Sequence, residues 1–320
     1  MRSVRVVTDL DECRDVWQRS VPEEFVTDLW CLRACFQEHF QRPPCFLVAE
    51  NTEGLAGLLP LSYIEEADYY GYFPGETWRN KTWLEQNRIC AADEQALAAL
   101  LARCPGRFHL RYLLPSDAAP HGEDDVDEVG YLFHPPMYDY DIGNYLRRFS
   151  HKSAKRLNRE IEAFEALGVE YSYDDPADFD RLVELNVSSF GSDSYFHDPR
   201  FREGFRSLMH LLVERDWLRM TSVKIGGELA AVDMGCVYRD TYSLLAGGTN
   251  GSHRGVAKLI NLHHMQRACR ERLQSVDFLC GDFSWKARFH LTPRPLCLLA
   301  DCQIETLRPQ GPVEGAGHVG

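Results

Sequence analysis

The stretch from Thr241 to Phe289 constrains the fold more than any other part of this 320-residue chain. Thr241 to Ala246 is β-branched and aromatic at its start and apolar after it, and Gly247, Gly248, Asn250 and Gly251 bring the run to a stop. That pattern predicts a strand that ends in a Gly-rich turn. From Val256, apolar residues recur at Leu259, Ile260, Leu262, Cys269 and Leu273, so a helix is expected to begin near Arg254. Ser275 to Leu279 reads as a second strand that empties into Cys280-Gly281-Asp282-Phe283-Ser284-Trp285-Lys286. The first turn of a helix has N–H groups without partners and carries about half a positive charge. A phosphate-bearing ligand is therefore expected at Gly251, His253, Arg254, Gly255, Val256 and Lys258, with Leu245 and Gly247 on the approaching strand.

Several function classes are disfavoured by what is missing. At this turn no Gly-Lys-Ser/Thr closes a P-loop and the glycines do not fall as G-x-G-x-x-G, which argues against a nucleoside triphosphatase or a nicotinamide dehydrogenase. There is no G-x-S-x-G elbow, and twelve dispersed histidines assign no serine-histidine-acid set. Eleven cysteines without a C-x-x-C pair predict buried, reduced thiols and no metal site. The first 150 residues hold −11 of the formal net charge of −13, so non-specific nucleic-acid binding is disfavoured overall. A local basic face in the second half stays open. With no apolar run near the ~20 residues that span a bilayer and no apolar signal core at the start, the expectation is a cytoplasmic protein away from the membrane.

The remaining pattern predicts an α+β chain in two domains, residues 1–145 and 146–308, with a loose tail over 309–320. In the first, a strand is expected over Val4 to Val7, helices from Asp9 and from Asp28 to Phe40, and a hairpin of Cys45 to Glu50 with Leu55 to Ile64. A helix over Glu94 to Cys104 then leads to a strand over Phe108 to Leu114. The aromatic segment Tyr69 to Trp83 either lines a pocket or packs a loop onto the sheet, and Gly122 to Glu128 reads as a solvated acidic loop. In the second, a helix from Lys152 places Leu157, Ile161, Phe164 and Leu167 on one stripe and Lys152, Lys155, Arg156 and Arg159 on another. Those cations are either a solvated face or an attraction for an anionic donor. Helices from Pro176 and Pro199 flank a polar linker whose Tyr195 and His197 are candidates for the acceptor site. Leu218 to Lys224, Leu229 to Tyr238 and Thr241 to Ala246 form an antiparallel meander, and Pro293 and Pro295 precede a last strand, Leu296 to Ile304. Asp233 interrupts an apolar strand, so it faces water, finds a hydrogen-bond partner or serves as a base.

Residues from about His151 to Leu299 resemble the catalytic half of the CelD-type (cellulose-biosynthesis-associated) acyltransferases of the GNAT superfamily, akin to Fem-type aminoacyltransferases. The likeness rests on Lys152-Ser153-Ala154-Lys155-Arg156-Leu157-Asn158-Arg159, Gly226-Gly227-Glu228-Leu229-Ala230-Ala231, the Arg254-Gly255 turn, and Asp277-Phe278-Leu279-Cys280-Gly281-Asp282 leading to Trp285-Lys286. The turn Gly251 to Gly255 departs from the Q/R-x-x-G-x-G/A pattern of many acetyl-CoA enzymes. The resemblance implies tandem GNAT-like domains, the first degenerate, and direct acyl transfer from acetyl-CoA or another acyl-CoA to a small-molecule or peptide amine. It implies Lys286 at the reacting carbonyl with Asp282 orienting it or taking the amine's proton, and Tyr195, His197, Asp233, Tyr242 and Trp285 around the acceptor. Aminoacyl-tRNA is the alternative donor it implies, and a non-catalytic module of the same fold is the other alternative.

Overall fold

A computed structural model describes residues 3–79, 81–116, 118, 125–281, 286 and 289–301. Two compact units emerge, and neither is continuous in sequence. The first gathers the described residues up to Val129, Asp198–Leu211 and those from Pro295 on; the second comprises Gly130–His197 and Leu212–Arg294. The sequence reading cut the chain once, near residue 145. The difference arises because a helix after Asp198 buries Phe201 and Phe205 against Phe36 of the first unit, with ring centroids 6.3 and 5.4 Å apart.

The first unit runs β1 (Ser3–Val7), α1 (Leu10–Ser20), α2 (Trp30–Phe40), β2 (Pro44–Asn51), β3 (Gly54–Ile64), β4 (Tyr69–Tyr72), three two-residue strands β5 (Thr77–Trp78), β6 (Lys81–Thr82) and β7 (Cys90–Ala91), then α3 (Glu94–Ala102) and β8 (His109–Leu113). β1 to β4 pair antiparallel in chain order. Gly54, at φ 121°, closes the β2–β3 turn while the Asn51 side chain accepts from Glu53 N. A parallel bridge between Tyr70 and Phe108 carries the chain past β4 after α3. The aromatic segment packs inward: Phe73 is fully buried and stacks on Trp30 at 5.0 Å, and Trp83 stacks on Phe36 at 5.3 Å. β9 (Val126–Phe133) starts inside the acidic run read as a loop, because Asp127 finds a partner there: Arg111 on β8 donates to both its carboxylate oxygens at 2.7 and 2.8 Å.

The second unit holds α4 (Ile142–Leu146), α5 (His151–Glu165), β10 (Val169–Tyr173), α6 (Asp178–Phe190), the end of α7 (Pro199–Glu214), β11 (Leu218–Ile225), β12 (Glu228–Tyr238), β13 (Thr241–Thr249), α8 (Val256–Arg270) and β14 (Ser275–Asp277). β10 was missed by pattern reading; it is short and pairs antiparallel with β11, which pairs with β12 and that with β13. α8 carries the chain over to β14, which pairs parallel with β13. Apart from the three two-residue strands, β1 to β8 and β10 to β14 therefore repeat one order along the chain: strand, two helices, three antiparallel strands, helix, strand. Leu167, placed by periodicity on the apolar stripe of α5, lies past the helix end and is 62% exposed. Pro293 and Pro295 fall within β15 (Thr292–Ala300) rather than before it; the strand pairs with β8 from Cys297 on. The buried thiols agree with the sequence reading, and burial pushes Cys13 and Cys236 up to about 12.

Candidate functional site

The site is built where β13 and β14 part. Their parallel register covers only Thr241 to Ser243 against Ser275 to Asp277, while β13 continues six residues further with no strand on that edge. The divergence begins next to a β-bulge: Gly235 faces Leu244 and Met234 faces Ala246, so Leu245 has no register partner on β12. A bulge turns its extra backbone amide away from the ladder, a device common beside active sites. Gly247 and Gly248 do not end the strand as predicted; they lie inside it, for packing reasons. A Cβ on Gly248 would meet Asn186 N, Leu182 O and Leu185 Cβ at 2.7 Å, so α6 crosses β13 at van der Waals range of its backbone. A Cβ on Gly247 would lie 2.3 Å from Asp233 Oδ1.

α6 takes over the edge that β14 leaves. Asn186 Nδ2 donates to Gly247 O and Ser189 Oγ to Thr249 O, both at 2.6 Å, and Ser194 Oγ donates to Asn186 Oδ1 at 2.7 Å. Ser194 lies in the middle of the linker predicted to meet the acceptor, so half-buried Tyr195 and exposed His197 stand one and three residues from a side chain tied to the β13 edge. Asn186, Ser189 and Ser194 carried no signal in sequence, because helical polar residues at an edge look like any solvated face.

Beyond Thr249 the chain makes the expected turn. Asn250 N donates to Ala230 O, its Nδ2 to Glu228, and His253 Nε2 meets Glu228 Oε2 at 3.1 Å, which fastens the turn to the β11–β12 hairpin. Gly255, at φ 93°, is the N-cap of α8 and offers no side chain to it, and the first turn contains no acid. Among the described residues, the amides of Arg254, Gly255 and Ala257 have no acceptor and exposed Arg254 has no ion pair. Lys258 is spoken for, its Nζ 2.5 Å from Glu160 on α5. That bond sets the basic face of α5, where Lys152, Lys155, Arg156 and Arg159 are exposed, beside the same helix start.

Lys286 is 2% exposed, and its ammonium donates to the carbonyls of Phe278, Leu279 and Cys280 at 2.9, 2.8 and 2.8 Å. An ammonium has three protons, so the described contacts absorb them all in holding the chain after β14. Asp282 and Trp285 lie outside the described residues. Tyr242 is in the core: its ring stacks on His264 at 4.8 Å, and Gly235 is glycine because a Cβ would strike that ring at 2.6 Å. Burial holds the Tyr242 hydroxyl well above its ordinary pKa, with the Asp233 charge adding to the effect. Asp233, 4% exposed, is hydrogen-bonded by His264 Nε2 to Oδ2 at 2.9 Å. His264 was missed; the readable signal was the His263-His264 doublet on a helix opposite an acid in an apolar strand. No group of three or more His, Cys, Asp or Glu able to hold a metal occurs among the described residues, and no described helix is long and apolar enough to cross a membrane.

A bulged antiparallel meander splaying from a parallel strand, with a crossover helix between its last strand and that parallel strand, is the GNAT fold. Residues 151–287 match the family described as an acetyltransferase (GNAT) domain. FemX is similar in fold, at 10% identity and TM-score 0.56, over 92% of this chain and 96% of FemX. L-PGS from Bacillus licheniformis gives 9% identity and TM-score 0.54, over 91% of each chain. A conserved protein of unknown function from Bacteroides thetaiotaomicron gives 13% identity and TM-score 0.57, over 93% of this chain and 99% of that one. No curated protein matches the sequence.

Proposed function

We propose that the chain is a CelD-type, cytoplasmic N-acyltransferase that moves an acyl group from an acyl-CoA thioester to an amine by direct attack. The observation that carries this reading is the conjunction of the splay, the Leu245 bulge and the unclaimed amides of Arg254, Gly255 and Ala257 on one crossover. Those amides and the Arg254 guanidinium fit a pyrophosphate, and Gly255 at positive φ lets the backbone approach it closely. The bound thioester supplies the activated carbonyl. The Leu245 amide, at the position without a register partner, is the donor for the developing oxyanion, a contribution whose loss typically costs 10²- to 10³-fold in rate. The α6–α7 linker, with Tyr195 and His197, receives the amine. Lys286 fixes the β14 end and so keeps the gap open.

Acetyl-CoA titrated calorimetrically against the wild type and Arg254→Glu tests this: micromolar binding lost in the variant supports the reading, and absence of heat with the wild type refutes it. A second reading, aminoacyl-tRNA as donor, is favoured by the exposed cations of α5 reaching away from the mouth. Eight residues of helix separate Lys152 from Glu160, about 12 Å, more than one pyrophosphate needs.

A further inference from the structure

We infer that Asp233 accepts the proton of the incoming amine and that His264 is the residue that positions it, an inference that rests on the acyl-transfer reading above. A carboxylate serving only to satisfy the fold has donors on both oxygens, since an unpartnered charged oxygen in an apolar strand is costly. Asp233 departs from this. Oδ2 is held by His264 Nε2 at 2.9 Å, whereas Oδ1 has no hydrogen bond among the described residues. That free oxygen lies across Gly247, where a Cβ would come within 2.3 Å of it. Gly247 is on the splayed part of β13, two residues from the Leu245 bulge, and Asn186 grips its carbonyl. The free oxygen is thus one strand's width from the gap, a separation that one bridging water spans. The side chain keeps 6% exposure against 2% for His264.

The pair also has a way out through the core. His264 and Tyr242 line a small cavity with Arg219, Arg267 and Glu271, about 10 Å³ and so on the scale of one water. Arg219 Nε and Arg267 Nη1 are buried there without partners. The groups facing the pair are Tyr242 on β13, Cys236 on β12, Arg219 on β11, and His263, Arg267 and Glu271 on or just after α8, with Asp174 3.9 Å from Arg267.

The ammonium gives one proton to Asp233 Oδ1, and the freed nitrogen lone pair forms the C–N bond at the thioester carbonyl. The C–S pair leaves with sulfur, the thiolate takes the second N–H proton, and Asp233 returns its proton to solvent. Thiol release from acetyl-CoA, with glucosamine, lysine and glycine as probe amines, tests this across pH, alongside calorimetric binding of acetyl-CoA. Asp233→Asn is expected to bind acetyl-CoA as the wild type does, lose about 100-fold in kcat/KM near neutral pH, and recover as pH approaches the amine's own pKa. His264→Gln is expected to lose less and to move the acid limb of the profile. An Asp233→Asn profile matching the wild type overturns the proposal. Should the variants fail to fold, the wild type decides: an acid limb that tracks each probe amine's pKa, or no thiol release from protein that binds acetyl-CoA, overturns it. Failure of acetyl-CoA to bind sinks the donor reading, and this inference with it.

Discussion

Two adjacent glycines on β13 should respond to the same substitution in different ways, because their missing methyl groups point at different things. In Gly248→Ala the new Cβ meets Leu182 O, Asn186 N and Leu185 Cβ at 2.7 Å, two of them backbone of α6. Ordinary contact begins near 3.4 Å, so α6 must retreat about 0.7 Å, and a helix moves as a unit. The retreat stretches the Asn186 and Ser189 bonds to Gly247 and Thr249, now 2.6 Å each. Overpacking of this kind costs ~1–3 kcal/mol, offset by ~0.4–1 kcal/mol from the stiffer unfolded chain. The expectation is a net loss of about 1–2 kcal/mol in urea unfolding at unchanged m-value, with faster amide exchange in α6. In Gly247→Ala the obstacle is a side-chain oxygen, which rotates at lower cost and breaks the Asp233–His264 bond instead. That variant should keep more stability than Gly248→Ala. A Gly248→Ala protein within 0.5 kcal/mol of the wild type, about the ordinary size of a surface effect, would refute the packing argument.

Lys286→Met should strand three buried carbonyls at about 1–3 kcal/mol each and show as lowered stability in denaturant melts, whereas a group serving only an oxyanion would lower kcat with the melt unchanged. Triple replacement of Lys152, Lys155 and Arg159 by Glu should leave acetyl-CoA affinity within about twofold while abolishing any tRNA retention in filter binding and flattening its salt dependence, since each phosphate contact adds to that slope. Stability should also fall on acidification in a window set by His263. Burial, with the neighbouring His264 adding to it, lowers its pKa from 6.5 to about 4, so only the unfolded chain takes up this proton between those values. Thermal melts of the wild type should therefore decline from pH 6.5 toward 4 more steeply than those of His263→Gln.

Much of the scaffold was legible because its signals are local. The antiparallel meander and the helix after Gly255 follow from period and turn residues, and each is present within a few residues. What escaped depends on contacts far apart in sequence. Gly247 and Gly248 look like a turn, yet they are glycines because Asp233 and α6 come close, fourteen and about sixty residues away. That Lys286 donates to the carbonyls of Phe278, Leu279 and Cys280 is likewise a tertiary fact that its place in the sequence does not show. The separation of β13 from β14 is invisible in either strand alone, since no residue type marks the end of a register.

The repeated order of elements gives the chain two crossover helices, α3 and α8, and their starts differ. α3 is capped by Asp93, whose carboxylate accepts from Ala96 N at 2.9 Å, and Glu94 adds a second acid to its first turn. Negative charge already satisfies the amides and the helix dipole there, so a phosphate would have to displace one acid and approach another. α8 begins at Gly255 with no side-chain cap, no acid in its first turn and Arg254 alongside. The same topology thus gives a closed helix start in the first unit and an open one in the second. If this reasoning holds, Gly255→Asp supplies the missing cap, which ought to stabilise an isolated helix start by roughly 1 kcal/mol, while the aspartate at φ 93° works against it. In either balance the added carboxylate should lower acetyl-CoA affinity at least tenfold, and Asp93→Ala should leave it unchanged. Acetyl-CoA affinity that falls with Asp93→Ala and survives Gly255→Asp would assign the donor to the wrong repeat.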